Sequence, residues 1–242
     1  MQKVQGIIIF IVFFSFVYYN IDAQEVKIDH IILLRRNLEE SIKDYQSKGF
    51  TVKKGRVHNN GIINAHIKFE NKSSIELISL KGEANDEISK RYENLLKYGE
   101  GGVYIALTGI PFKELSEKLD YLNVPYKRID GKLWDYITFP DSSKLSQFFF
   151  IDYHLELRDS SYFFEHGNQS DHIKTVQVEG GNMVVKFLEG LGLKKEKAGD
   201  NFKFATTSGN LILFQPEKEN KFKIKKIILA DKKGDVTEII SF

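Results

Sequence analysis

The chain has 242 residues, 42% of them hydrophobic and 28% charged, enough for a sizeable core. Its 35 basic and 33 acidic residues leave a net charge of +2, too weak a field for a general nucleic-acid binder. With no cysteine, disulfides, cysteine-zinc sites and thiol catalysis are excluded.

Lys3 precedes an apolar and aromatic run, Ile7 to Tyr19, broken only by Ser15. That run is short for a membrane span, which needs about 20 residues. Its length, its flanks and the small Ala23 predict a secretory signal peptide over 1–23, cut after Ala23. The implied location is exported, periplasmic or secreted, with no stable membrane span after cleavage. Ile21 departs from the small residue preferred two positions before the cut, so an uncleaved anchor is the alternative.

Val26 to Leu34 reads as a largely buried strand. Asn37 is a plausible N-cap, Glu39 and Glu40 suit a first helical turn, and Leu38, Ile42 and Tyr45 share one face. Gly49 stops that helix, and a strand begins at Phe50. Asn59-Asn60-Gly61 turns the chain. In the strand Ile62 to Glu70, Asn64, His66 and Lys68 share one side, and Ser73 to Leu80 returns.

A helix follows from about Asn85 to Tyr98. Then come a strand at Val103 to Thr108, a helix opened by Pro111, and strands at Tyr126 to Ile129, Trp134 to Phe139 and Gln147 to Tyr153. Beyond the polar stretch Leu155 to Ser170, a third strand–helix–strands set runs from Ile173 to Phe214. Strands at Phe222 to Ala230 and Val236 to Phe242 close the chain. The basic stretch Lys218 to Lys226 reads as a solvated edge strand. Repetition of one order of elements predicts an α+β fold, a mainly antiparallel sheet with helices on one face.

Four stretches carry a family resemblance: IDHIILLRRNLEESIKDYQSKGF from Ile28, GRVHNNGIINAHIKFENKSSIELIS from Gly55, QFFFIDY from Gln147 and FFEHGN from Phe163. With these the chain resembles the vicinal oxygen chelate superfamily, and more closely its glyoxalase-like domain family. The resemblance implies paired βαβββ modules over 24–170, forming a cupped sheet with helices on the outer face. Residues 171–242 then form a third unit packed on the same domain.

In the metal enzymes of that superfamily, a first-strand His and a fourth-strand Glu bind a divalent ion. His30 and Glu76 match those positions, so the resemblance implies a metal site for Zn, Ni, Mn or Fe. It also implies substrate-binding roles for His58, Asn64 and His166. The partner is then a small-molecule ligand; catalytic residues and oligomeric state are not specified. Further ligands come from the partner module in those enzymes. Here, counting from the helix ends, Tyr104 falls at the second module's His position and Ile173 at the third's, with His172 one position off. Aligning the shared Asp-His-Ile instead matches His172 to His30, and Ile212 takes the Glu76 position. Asp152 or His154 are the candidate substitutes. Two functions fit: a metal-dependent lyase, isomerase or dioxygenase on a small oxygenated substrate, and a binding protein of the same fold without turnover.

Overall fold

The structure, a computed structural model, describes residues 26–155, 159–214 and 223–242. The signal-peptide reading of 1–23 lies outside the described residues. Among the described residues, no helix is long and apolar enough to cross a membrane.

The first unit runs β1 (Lys27–Leu34), α1 (Leu38–Ser47), β2 (Lys53–Val57), β3 (Ile62–Lys68) and β4 (Ser74–Leu80). A linking helix, α2 (Glu87–Leu96), leads to the second unit: β5 (Gly101–Thr108), α3 (Phe112–Tyr121), β6 (Lys127–Ile129), β7 (Trp134–Thr138) and β8 (Phe148–Tyr153). A short 3₁₀ helix, Ser161–Phe164, precedes the third unit: β9 (His172–Glu179), α4 (Asn182–Gly190), β10 (Lys195–Ala198), β11 (Asn201–Thr206) and β12 (Gly209–Phe214). Strands β13 (Ile224–Ala230) and β14 (Val236–Ser241) complete the chain.

Each unit has the same pairing. The first strand lies parallel to the fourth, and the fourth, third and second follow antiparallel. Units one and two join antiparallel through β1 and β5, and β9 pairs β13 in the same way. Among the described residues, a single register position, Ile224 against Gly102, links β13 to β5 and makes one fourteen-stranded sheet. Of the basic stretch read as a solvated edge, residues 218–222 lie outside the described residues, while its end from Ile224 enters β13, an interior strand flanked by β9 and β14. Its Ile224, Ile227 and Leu229 are fully buried, and that apolar face decides its place.

Local chemistry sets the helices. Asn37 caps α1 by accepting from the Glu40 N–H, and Asp86 and Ser89 form a reciprocal capping box on α2. Gly49 ends the α1 segment at φ +85°, and a Cβ there would meet the Asn168 backbone nitrogen at 2.9 Å. Helices α1, α3 and α4 bury Ile42, Leu115 and Phe187 against one face of the sheet, in the larger apolar core. Helix α2 is the exception. Its Tyr92, Leu95 and Leu96 pack on the concave face with Ile32, Ile78, Tyr104 and Phe149.

One irregularity recurs and positions the site. In β1 the pairing to β5 passes from Ile28 directly to His30, leaving Asp29 as the extra residue of a β-bulge. Ile28 and Ile31 both enter the outer core, so Asp29 and His30 both turn to the concave side. The same bulge recurs at Val103 in β5, Lys174 in β9 and Lys225 in β13. By this register, the counterparts of His30 are Tyr104, Thr175 and Lys226.

Candidate active site

The concave face of the first unit is laid out in rows across the strands. Lys53, His66, Glu76 and Ile32 are consecutive cross-strand partners on β2, β3, β4 and β1. Lys68, Ser74 and His30 form the next row. His30 Nε2 stands 3.4 Å from Glu76 Oε2. Two groups 46 positions apart in the chain thus meet because β1 and β4 are parallel neighbours.

Both groups are held from behind. His30 Nδ1 donates to Asp29 Oδ1 at 2.5 Å, and the Tyr153 hydroxyl donates to the same oxygen at 3.0 Å. Asn64 Nδ2 donates to Glu76 Oε1 at 2.7 Å and lies 3.2 Å from His66 Nε2. Asn64 is itself fixed, its Oδ1 accepting from the Arg56 N–H. So one Glu76 oxygen is tied down and the other faces His30.

The two histidines are driven in opposite directions. Burial disfavours a charged His30, but the Asp29 hydrogen bond, its charge and the Glu76 charge outweigh it and raise the pKa above the ordinary value. Burial, then Lys68, His30 and Lys53, overcome the opposing Glu76 charge and lower His66 to about 4. Desolvation and the charge of Asp29 push the Tyr153 phenol up, keeping it a donor. Aromatic rings close the rest of the site. Phe149 meets His30 edge-on at 5.5 Å, and Tyr104 and Tyr136 pack on Phe149 at 6.3 and 5.9 Å.

The other residues singled out by sequence lie elsewhere. His58 sits at the β2–β3 connection, where its backbone closes a turn with Gly61 and Ile62. His166 packs between Phe50 and Phe69 of the outer core. Both its nitrogens are taken by backbone, one accepting from Thr51 N–H and the other donating to the Lys68 carbonyl. His154 bonds Asp135 and the Lys132 carbonyl, and Asp152 is exposed opposite Asp135. Neither reaches the cup. In the third unit the bulge puts Thr175, not Ile173 or His172, at the position of His30. Ile212 takes the Glu76 position, as counted, since it pairs Gln177 as Glu76 pairs Ile32. In the second unit Phe149 pairs Ala106 two positions beyond Tyr104, and so takes the Glu76 position.

This donor set does not fit the four-ligand ion of the superfamily's metal enzymes. The second module offers a phenol and a benzyl ring where it would need an imidazole and a carboxylate. Among the described residues, no three His, Asp or Glu side chains are grouped to hold an ion.

The sequence model of the glyoxalase-like domain family matches residues 28–183, more than half of the chain. The chain belongs to the glyoxalase-like domain family. It is therefore a member of the vicinal oxygen chelate superfamily. Among solved structures, it is similar to a hypothetical protein from Staphylococcus aureus, with 17% identity, a TM-score of 0.62, and coverage of 85% of this chain and 91% of that one. That likeness extends the shared fold across all three units. A hypothetical protein from Bacillus halodurans matches at 19% identity and TM-score 0.44, over 55% of this chain and 99% of that one. A methylmalonyl-CoA epimerase from Streptomyces coelicolor, solved with 2-nitronate-propionyl-CoA, matches at 17% identity and TM-score 0.42, over 54% and 99%. No match was found among the curated proteins.

Proposed function

We propose that this glyoxalase-like protein is an enzyme that moves a proton on a small oxygenated substrate held over the first unit. One observation carries the reading: His30 and Glu76 face each other at 3.4 Å, each oriented by a separate partner, Asp29 and Asn64. A carbonyl compound lying over the pair receives a hydrogen bond from His30 Nε2–H on its oxygen. Glu76 Oε2 then takes the proton from the adjacent carbon, and the enolate charge develops beside the imidazolium. Return of the proton to another position gives an isomerase; loss of a leaving group gives a lyase. Because the second module lacks matching donors, no step is routed through a metal ion. Export after cleavage at Ala23 belongs to the same reading and is supported by the Ile7 to Tyr19 run. Amino-terminal sequencing of the mature protein tests it.

The activity test uses a panel of small aldehydes, ketones, 2-oxo acids and 2-hydroxy acids in deuterated buffer, with exchange at the carbon beside the carbonyl or hydroxyl read by NMR. Exchange catalysed by the native protein and lost in Glu76→Gln and His30→Ala supports the reading. Exchange at the buffer rate across the panel, or unaffected by both substitutions, overturns it. The aromatic residues at the second module's ligand positions favour a second reading, a binding protein without turnover. Saturable binding of a panel member without exchange selects that one.

A further inference from the structure

Beside the histidine–glutamate pair, two lysines grip one carboxylate. Lys53 and Lys68 stand on the concave side of neighbouring strands, Lys53 paired with His66 and Lys68 two residues further on. Lys68 Nζ lies 2.7 Å from Asp159 Oδ2, and Lys53 Nζ binds Asp159 Oδ1. The Asp159 side chain is only 9% exposed. It does not belong to the sheet. It is carried by the segment that crosses from the lysines to His166 in the outer core, pinned by Thr51 Oγ1 on the Glu165 carbonyl and by His166 on the Lys68 carbonyl.

We propose that Lys53 and Lys68 form the subsite for a carboxylate group of the substrate, and that Asp159 occupies it in this structure as an internal stand-in. The inference rests on the proton-transfer reading for the remainder of the substrate, and it names the substrate class: a short 2-oxo or 2-hydroxy acid.

Charge and geometry support it. One carboxylate between two ammonium groups leaves a formal surplus of +1 at that spot. An incoming carboxylate makes the same two charge-assisted bonds that Asp159 makes now. Lys68 shares a row with His30, across Ser74. Two strand spacings, about 10 Å between backbones, separate the two, and the lysine side chain spans much of that gap. In a 2-oxo acid anchored at the lysines, the oxygen on the second carbon then faces His30 and the third carbon, which bears the proton, faces Glu76. In a 2-hydroxy acid the second carbon bears the proton, and the charge develops on the carboxylate that the lysines hold. Because Asp159 is tethered, it competes at high effective concentration, so the subsite favours the acid most when that tether is weakened.

The test measures binding, not turnover. Trp134 is the single tryptophan and packs on Tyr153, whose hydroxyl bonds Asp29, so its fluorescence reports on the site. The probes are pyruvate and lactate, with methyl pyruvate as the uncharged control. Asp159→Asn is expected to bind the two acids about tenfold more tightly than the native protein, and Lys68→Met about tenfold more weakly. Methyl pyruvate is expected to bind all three proteins alike. Acid affinities that do not differ among the three proteins, a control that follows the acids, or no acid binding even to Asp159→Asn would each overturn the subsite. Lys53→Met guards against a mere shift of the crossing segment, since it must weaken the acids with Asp159 left in place. The two readings fail separately. Acids bound without exchange keep the subsite and lose the enzyme. Exchange on methyl pyruvate with acid affinities unmoved by the lysines keeps the enzyme and loses the subsite.

Discussion

Asp29 and His30 are consecutive residues of one strand, yet both face the concave side, with Asp29 Oδ1 2.5 Å from His30 Nδ1. Regular alternation would set them on opposite faces. The bulge at Asp29 makes the pair, and with it the orientation of the imidazole toward Glu76.

Asp29→Asn therefore keeps the shape and removes the charge. In the reading above, His30 acts in its protonated form. Its raised pKa means that activity is present at lower pH and falls as pH rises through that pKa. Without the Asp29 charge the pKa drops, so the falling limb of the pH–rate profile moves to lower pH. At neutral pH the exchange rate is expected to fall on the order of 10²-fold. An unchanged profile would remove Asp29 from the mechanism.

Asn64→Ala tests the other support. It removes the amide that holds Glu76 Oε1 and adds no atom to the β2–β3 pair, whereas a Cβ at the neighbouring Gly55 would meet the Asn64 backbone oxygen at 2.7 Å. The fold is expected to survive at a cost of about 1 kcal/mol. The bond from Asn64 to Glu76 Oε1 is expected to be lost, lowering kcat about tenfold while KM changes less. A change confined to KM would place Asn64 in substrate binding alone.

His166 gives a stability prediction free of any substrate. Its pKa is lowered, chiefly by burial, against an opposing bond to the Lys68 carbonyl. The folded state therefore prefers the neutral ring. The stability this brings is fully present above the unfolded value, about 6.5, and is lost as pH falls toward the lower folded pKa. Urea unfolding at pH 7.5 and 5.5 is expected to show that loss in the native protein and less of it in His166→Ala. The variant starts about 1–3 kcal/mol less stable, because Thr51 N–H and the Lys68 carbonyl lose their partner.

These residues also show what the sequence made legible. The alternation in Ile62 to Lys68 and the cap at Asn37 sufficed to place β3, β4 and α1, and the parallel pairing of β1 with β4 then brought His30 to Glu76. Bulges were not legible. An extra residue changes which side chains share a face without changing composition, so Asp29 was passed over. The Asp171-His172-Ile173 copy of Asp29-His30-Ile31 pointed to the wrong register, since the third unit's bulge falls at Lys174. His66 drew no role from the sequence, which set it with Asn64 and Lys68 on one side of the strand. The same alternation turns that side to the concave face, where burial and Glu76 surround His66. The exception α2 was hidden for a different reason: an amphipathic pattern says that a helix has a buried face, not which side of the sheet it buries.

The aromatic half of the cup yields the sharpest test of the metal reading. Tyr104 and Phe149 occupy the register positions of His30 and Glu76 in the second module. If the lack of donors there is what keeps a resident ion out, the native protein incubated with Zn, Ni, Mn or Fe and then desalted is expected to carry well under one ion per chain. Tyr104→His with Phe149→Glu supplies an imidazole and a carboxylate facing His30 and Glu76. Phe149 is only 9% exposed, so an unpaired glutamate there is expected to cost several kcal/mol in the metal-free protein. Added Zn or Ni then repays that cost by neutralising the buried charge, raising the unfolding temperature of the double variant while leaving the native protein unmoved. A stoichiometric ion in the native protein, released by His30→Ala, would show instead that one module suffices to hold it.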